Sequence, residues 1–524
     1  MISMFVRRFF ETLALAALLG AANAAAACAE SDAARAEPAQ TPDAAASPAS
    51  NDDKAQPQKR NPESPAAQPE VPKPQGLLGD FGNGARTELV KRGLSLNGHL
   101  VSESAANLSG GLPLGGNAYQ RGTALSTEFG FGFDADLNKL YAGSGAGIVH
   151  FLLTTRFGSN LSSQAVGNLA SVQEIYGDGQ TTRITYLDYE QPLFKNRLNL
   201  RLGKYNQQGD FIAGSTYWGG NLYCFYQNNN ICGTPAGIPI NNGVVANGSE
   251  GYVYYPSSQW GARLKADLTK DVYVQAAAVQ GNPLVNNPNG GLYFGFNGGT
   301  GMELPLEIGA TLRDGAGNLA GNVRVGGYYD TSNVQDFASR ARGSLALTPN
   351  ETTPLGLASN AAALASIATR YDRGRSGAYI QLDHVIGGSA AAGQTGTAMF
   401  AAFEYSDPQT SLISTMYEVG AVRHGTFPGR DRDTLAVGFA SENYNVRLQN
   451  LETSLQRLGY AVPNTTADQV FEINYGFQAA PWFVLRPGLQ LVVNPSGVKA
   501  NNAAGVINPA RNALVIGLGG YISL

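Results

Sequence analysis

Six polar residues stand where a solute could be handled: Glu128, Arg197, Arg201, Glu472, Arg486 and Gln490. Each belongs to the polar row of a segment whose alternate positions are apolar. Carboxylates, guanidiniums and an amide set in line can exchange hydrogen bonds with a hydroxyl-bearing solute. Aromatic rings nearby would cover its weakly apolar C–H faces. Such contacts must stay weak, or the solute would not leave. A second reading fits the same residues: the solvated wall of a barrel. Rings and amides concentrate in 211–232, with Tyr217, Trp218, Tyr223, Tyr226 and three asparagines at 228–230. That segment reads either as an inward loop offering a stacking platform, or as an interface belt or external loop packed on itself. Cys224 and Cys232 are close enough in sequence to close a small loop, and we expect a disulfide rather than two free thiols.

Other chemistries fit poorly. The four histidines, His99, His150, His384 and His424, show no metal-ligand spacing with cysteine or with each other. The stretch Ala142-Gly143-Ser144-Gly145-Ala146 resembles a nucleophile elbow only loosely and lacks its strand–turn–helix setting. We expect no catalysis, no metal and no cofactor. The net charge of −4 and the lack of any Lys/Arg cluster argue against nucleic acid.

The elements that would hold the six residues are strands. The 524 residues include 65 Gly, 24 Tyr and 22 Phe, with only 15% charged. Beyond the N-terminus no apolar run reaches the roughly 20 residues of a spanning helix. Alternation with a period of two is the recurring pattern. In 259–268, Trp260, Ala262, Leu264, Ala266 and Leu268 oppose Gln259, Gly261, Arg263, Lys265 and Asp267. In 125–137, Leu125, Phe129, Phe131 and Phe133 oppose Ser126, Glu128, Gly130, Gly132 and Asp134. Leu198, Leu200 and Leu202 oppose Arg197, Asn199 and Arg201; Phe471, Ile473, Tyr475 and Phe477 oppose Glu472, Asn474, Gly476 and Gln478. Many such segments reach about ten residues, the length of a tilted strand crossing a bilayer. Periodicity does not tell inside from outside. Strand length, aromatic content and an export signal favour apolar residues facing lipid and polar ones facing a lumen. The fold expected is an all-β, antiparallel up-and-down transmembrane barrel of about 16 strands, 18 being the upper count.

Residues 1–24 read as a secretory signal, with Arg7 and Arg8 before an apolar stretch and Ala22-Asn23-Ala24 as a cleavage site. Residues 25–75 read as a disordered periplasmic tether; 29–75 are Ala, Pro and polar residues with no aromatics. The tether is either a plain spacer or a contact for cell-wall polymer. An ordinary cut is preferred to acylation at Cys28. The barrel would occupy 76–524. Short links at 269–271 and 479–482 would be periplasmic turns. The long segments 211–258, 281–320 and 331–376 would be external loops, some folded into the pore, with a short Ala-rich helix at 357–369. The last strand, 512–524, places Leu514, Ile516, Leu518, Ile522 and Leu524 on one face.

Several motifs resemble the carbohydrate-selective outer-membrane porins. They are Glu174-Ile-Tyr176, the hairpin from Tyr189-Glu-Gln-Pro192 to Arg201-Leu-Gly-Lys204, and Gly209-Asp210-Phe211. Later come Arg432-Asp-Thr-Leu-Ala-Val-Gly438, Glu472-Ile-Asn-Tyr475, Leu485-Arg-Pro-Gly-Leu-Gln490 and Asn494-Pro495. Their order spans most of 76–524. The resemblance implies a 16-stranded monomeric barrel with a narrowed, charged lumen, and monosaccharides and similar sugars as solutes. Outer-membrane lipid and lipopolysaccharide would surround it. The alternatives are a general diffusion porin without sugar preference and a structural envelope-anchoring protein.

Overall fold

The computed structural model describes residues 76–115, 118–169, 171–176, 180–211, 225–231, 255–282, 290–336, 370–389, 395–457, 464–499 and 510–524. The signal and tether expected at 1–75, the helix expected at 357–369, and Tyr217, Trp218, Tyr223, Cys224 and Cys232 lie outside these residues. Sixteen antiparallel strands close one barrel. In chain order they are β1 (Leu94–Gly111), β2 (Thr123–Asp136), β3 (Ile148–Gly158), β4 (Thr182–Leu193), β5 (Leu198–Tyr205), β6 (Gln259–Asp267), β7 (Val272–Gly281) and β8 (Gly301–Arg313). There follow β9 (Leu319–Gln335), β10 (Tyr371–Gly388), β11 (Gly396–Ser406), β12 (Ile413–His424), β13 (Thr434–Tyr444), β14 (Ala467–Ala480), β15 (Phe483–Val493) and β16 (Arg511–Ser523). Neighbours in sequence are neighbours in space, and β16 pairs with β1 from His99↔Ser523 to Ala106↔Ile516. Closure follows from the solvent. Hydrocarbon offers no partner to a free edge, so every strand needs two neighbours.

The alternation settles the two faces. In β2, Leu125, Phe129 and Phe131 point out and are exposed, while Ser126, Glu128, Gly130 and Gly132 are buried. In β14, Phe471 and Ile473 point out, while Glu472 and Asn474 are buried. A soluble sandwich would show the reverse. Apolar side chains therefore form the lipid face, and the polar rows face inward.

One end of the barrel carries short links, at 194–197, 268–271, 314–318, 425–433 and 481–482. The other carries the long connections, including 159–181, 206–258, 282–300 and 336–370. Short turns mark the periplasmic end. Two expected loops are smaller than the sequence suggests. The segment 281–320 is instead a connection at 282–300, the strand β8 and a turn at 314–318. Likewise 331–376 narrows to 336–370, since β9 runs to Gln335 and β10 starts at Tyr371. Pro305 is the reason β8 reads as loop, because proline cannot donate to a ladder. Its ring sits in the inward row, and the register with β7 skips Leu304 and Pro305. Pairing with β9 continues through both. Met302, Leu304, Leu306 and Ile308 still face lipid.

Among the described residues, three α-helices lie beyond the strands of the wall: α1 (Phe81–Lys91), α2 (Leu137–Leu140) and α3 (Val446–Arg457). Just before α1, Leu77 N donates to Ser523 O at 2.7 Å, and Arg86 of the helix donates to Leu524 O at 3.2 Å. Gly76 lies so close to the Leu524 carbonyl that a Cβ there would collide with it.

The periplasmic turn 425–433 is clamped through Asp433. It accepts Arg430 twice at 2.7 Å, the Tyr475 hydroxyl at 2.6 Å and Gln478 N at 3.0 Å. Burial pushes this carboxyl up, but those bonds outweigh it and hold it below its ordinary value. A depressed folded pKa gives stability that is complete above the unfolded value, about 3.9, and lost as pH falls through the folded one. The turn should therefore keep its clamp from neutral pH to about 4. A carboxyl NMR titration of Asp433 checks this, and a midpoint above the unfolded value contradicts it.

Candidate functional site

The inward rows divide into two walls of different character. On β12–β16 the inward rows mix buried carboxylates and amides with an apolar set: Met416, Val422, Ala436, Ala440, Val470, Val492, Ala513 and Val515 are all buried. They form one apolar cluster with Leu161, Ala165, Val166 and Val172 of the 159–181 connection, and with Phe225, Tyr226 and Ile231 of the 206–258 connection. The described parts of both connections thus fold into the barrel and dock on this wall. The Tyr226 ring packs edge-on against Phe400 at 5.8 Å, and its hydroxyl donates to Val437 O at 2.9 Å. Glycine makes the approach possible: a Cβ at Gly438 would collide with Ile231 and come 2.7 Å from Tyr226 Cε1. The two connections also bond each other, Glu174 N donating to Gln227 O at 2.9 Å.

The opposite wall, on β2–β10, is polar and held by ion pairs. Glu128 is 2% exposed and accepts Arg156 Nε at 2.5 Å and the Tyr255 hydroxyl at 2.6 Å; His99 Nε2 lies 2.7 Å away. On β5, Arg201 makes a two-pronged contact with Asp188 at 2.8 and 2.9 Å and reaches Asp210 at 3.2 Å. Its guanidinium lies 5.2 Å from the Tyr186 ring centre and 4.7 Å from that of Tyr205. Arg263 on β6 pairs with the other Asp210 oxygen at 2.7 Å and also bonds Asn199. Further round, Glu307 accepts the hydroxyls of Tyr273 and Tyr379, each at 2.6 Å, and Gln275 Nε2 at 2.9 Å. Arg375 meets Asp330 at 3.2 Å. These charges are fixed by partners, so the wall offers donors, acceptors and ring faces in set positions.

The six residues singled out in the sequence fall into three groups. Glu128 and Arg201 lie on the ion-paired wall. Glu472, Arg486 and Gln490 lie on the wall where the connections dock. Glu472 accepts Gln227 N and Asn228 N, both at 2.8 Å. Gln490 accepts Asn228 Nδ2 at 2.8 Å and donates to Val172 O at 3.0 Å. Arg486 is partly buried, its Nε without a hydrogen bond. Arg197 is not a strand residue. It sits exposed in the 194–197 turn, one position before β5, because the chain must reverse there. Of the aromatic group, Tyr226 is placed inward. Asp188, Asp210, Arg263 and Glu307 were not singled out. Asp188 and Arg263 do alternate with apolar neighbours, so period two marks them as inward. Period two does not mark Asp210, which stands in the Gly209-Asp210-Phe211 motif and reaches the cluster from just beyond β5.

A closed 16-stranded antiparallel barrel, oily outside and narrowed inside by two docked connections, is an outer-membrane porin. The profile described as "Carbohydrate-selective porin, OprB family" matches residues 120–523. The chain belongs to that family and is a sugar porin of the bacterial outer membrane. Porin B of Pseudomonas aeruginosa is 28% identical over 468 residues, covering 86% of this chain and 92% of that protein. The putative porin QuiX of Acinetobacter baylyi is 23% identical, covering 81% and 90%. Among solved structures, Pseudomonas putida OprB at high pH superposes with a TM-score of 0.71 at 26% identity, over 86% of this chain and 99% of that one.

Proposed function

We propose that small neutral sugars move down their gradient along the β2–β10 wall, with the Arg201–Asp188–Asp210–Arg263 cluster as the main contact. The observation that carries this is the pairing of both guanidiniums with carboxylates, flanked by Tyr186 and Tyr205. Paired charges hold an ion less tightly than bare ones do. A hydroxyl both donates and accepts, so it can slip between the partners for a bond of modest net worth, about 1 kcal/mol. The tyrosine rings suit the C–H faces of a sugar ring. Glu128 and Arg201 are the contacts we assign among the residues read from sequence. Arg197 would meet solute only at the periplasmic mouth.

The N-terminal residues complete the proposal, with 1–24 as export signal and 25–75 as a periplasmic tether, either a plain spacer or, through 29–75, a contact for cell-wall polymer. Outer-membrane phospholipid and lipopolysaccharide would cover the apolar outer face.

Purified protein in liposomes tests the transport reading. Swelling should be faster in glucose than in an amino acid of similar size. Equal rates would instead support a general diffusion porin. No swelling by a protein that still shows heat-modifiable gel mobility would support a structural role.

A further inference from the structure

The sugar-conducting wall is only part of the lumen, so something must keep the rest closed. The docked segment 225–231 does this at the β12–β16 wall, and one wall carboxylate takes two of its main-chain N–H groups. Both oxygens of Glu472 accept consecutive backbone N–H groups, those of Gln227 and Asn228. Asn474 Nδ2 braces the arrangement, donating to Glu472 Oε1 at 2.8 Å and to Phe225 O at 2.6 Å. Gln490 ties Asn228 to Val172, linking both connections through one side chain. Glu472 is 2% exposed, so these bonds form away from bulk water.

We infer that Glu472 is the positioning residue of the constriction. It holds 225–231 against the wall, confines solute to β2–β10 and so sets the pore's size limit. The physical case has three parts. A long loop has many conformations available and stays in one only where contacts over-determine it. The groups Glu472 binds are main-chain donors, so it fixes the course of the loop rather than one side chain. Gly438 lets the segment sit close to the wall: a Cβ there would collide with Ile231 and crowd the Tyr226 ring. Glu472 itself need not touch solute. The inference rests on the transport reading, because it specifies what bounds the path.

The test uses the full-length protein in planar bilayers and liposomes. Glu472→Ala should keep heat-modifiable mobility, conduct several-fold more with frequent flicker, and admit a trisaccharide that the unaltered channel excludes. Glu472→Gln keeps one accepting oxygen and should fall between. Should the alanine variant fail to fold, hydrogen exchange on the unaltered protein decides. The Gln227 and Asn228 amides should exchange at least about 100-fold slower than free peptide. Fast exchange at both amides overturns the inference, as does a folded Glu472→Ala with unchanged conductance and size limit. Absence of sugar preference alongside slow exchange and an enlarged Glu472→Ala pore would count against the sugar contacts alone.

Discussion

Glu128→Ala should cost roughly 3–5 kcal/mol of barrel stability, the usual effect of stripping one partner from a buried ion pair. It should also move ion preference toward anions. Three groups converge on this carboxylate: Arg156, the Tyr255 hydroxyl and His99. Arg156 is itself 5% exposed, so water cannot readily replace the lost partner. Tyr255 lies near the end of the 206–258 connection, and losing its acceptor loosens the chain where it returns to the wall. Glu128→Gln keeps an acceptor without the charge and should have a smaller effect on stability than on ion preference. Two readings check this: the temperature at which the folded gel band disappears, and the reversal potential across a salt gradient. A Glu128→Ala protein matching the parent in both would show that the pair is an idle surface contact.

The second large effect is expected at Arg201. Arg201→Ala leaves Asp188 without its guanidinium, while Asp210 keeps Arg263. The lumen then carries one more uncompensated carboxylate, and the channel should become cation-preferring. If this cluster is the sugar contact, glucose block of the current should weaken about tenfold, as loss of one charge-assisted bond of about 1.4 kcal/mol would give. Arg486→Ala is the matched control. Arg486 lies on the loop-covered wall, and its removal should change ion preference less and sugar block little. Equal loss of block in both variants would mean that solute does not favour the ion-paired wall. No change in either would take both residues out of the constriction.

The barrel was legible because one period governs it. The rows read in 125–137 and 259–268 are those that split into lipid-facing and inward residues. Contacts between paired strands were within reach too: Glu128 stands directly opposite Arg156 in the β2–β3 register. β8 was obscured by Pro305, whose missing N–H is tolerated here by a skip in one ladder. What lay beyond sequence is the docking of the connections. Gln227 and Glu472 are 245 residues apart, and no local pattern links a loop amide to a distant wall carboxylate. The same docking explains why inward positions such as Ala436, Val470 and Val515 are apolar. These residues face a folded loop rather than water.

The seam between β1 and β16 is the one junction in such a cylinder that no hairpin spans. Here the residues just ahead of β1 cross to the last two residues of the chain, with Leu77 on Ser523 and Arg86 on Leu524. A non-covalent stitch thus stands in for the missing turn. Mechanically, the first and last staves are then joined at the periplasmic rim as their neighbours are. Unzipping from that rim has to begin by prising this stitch open.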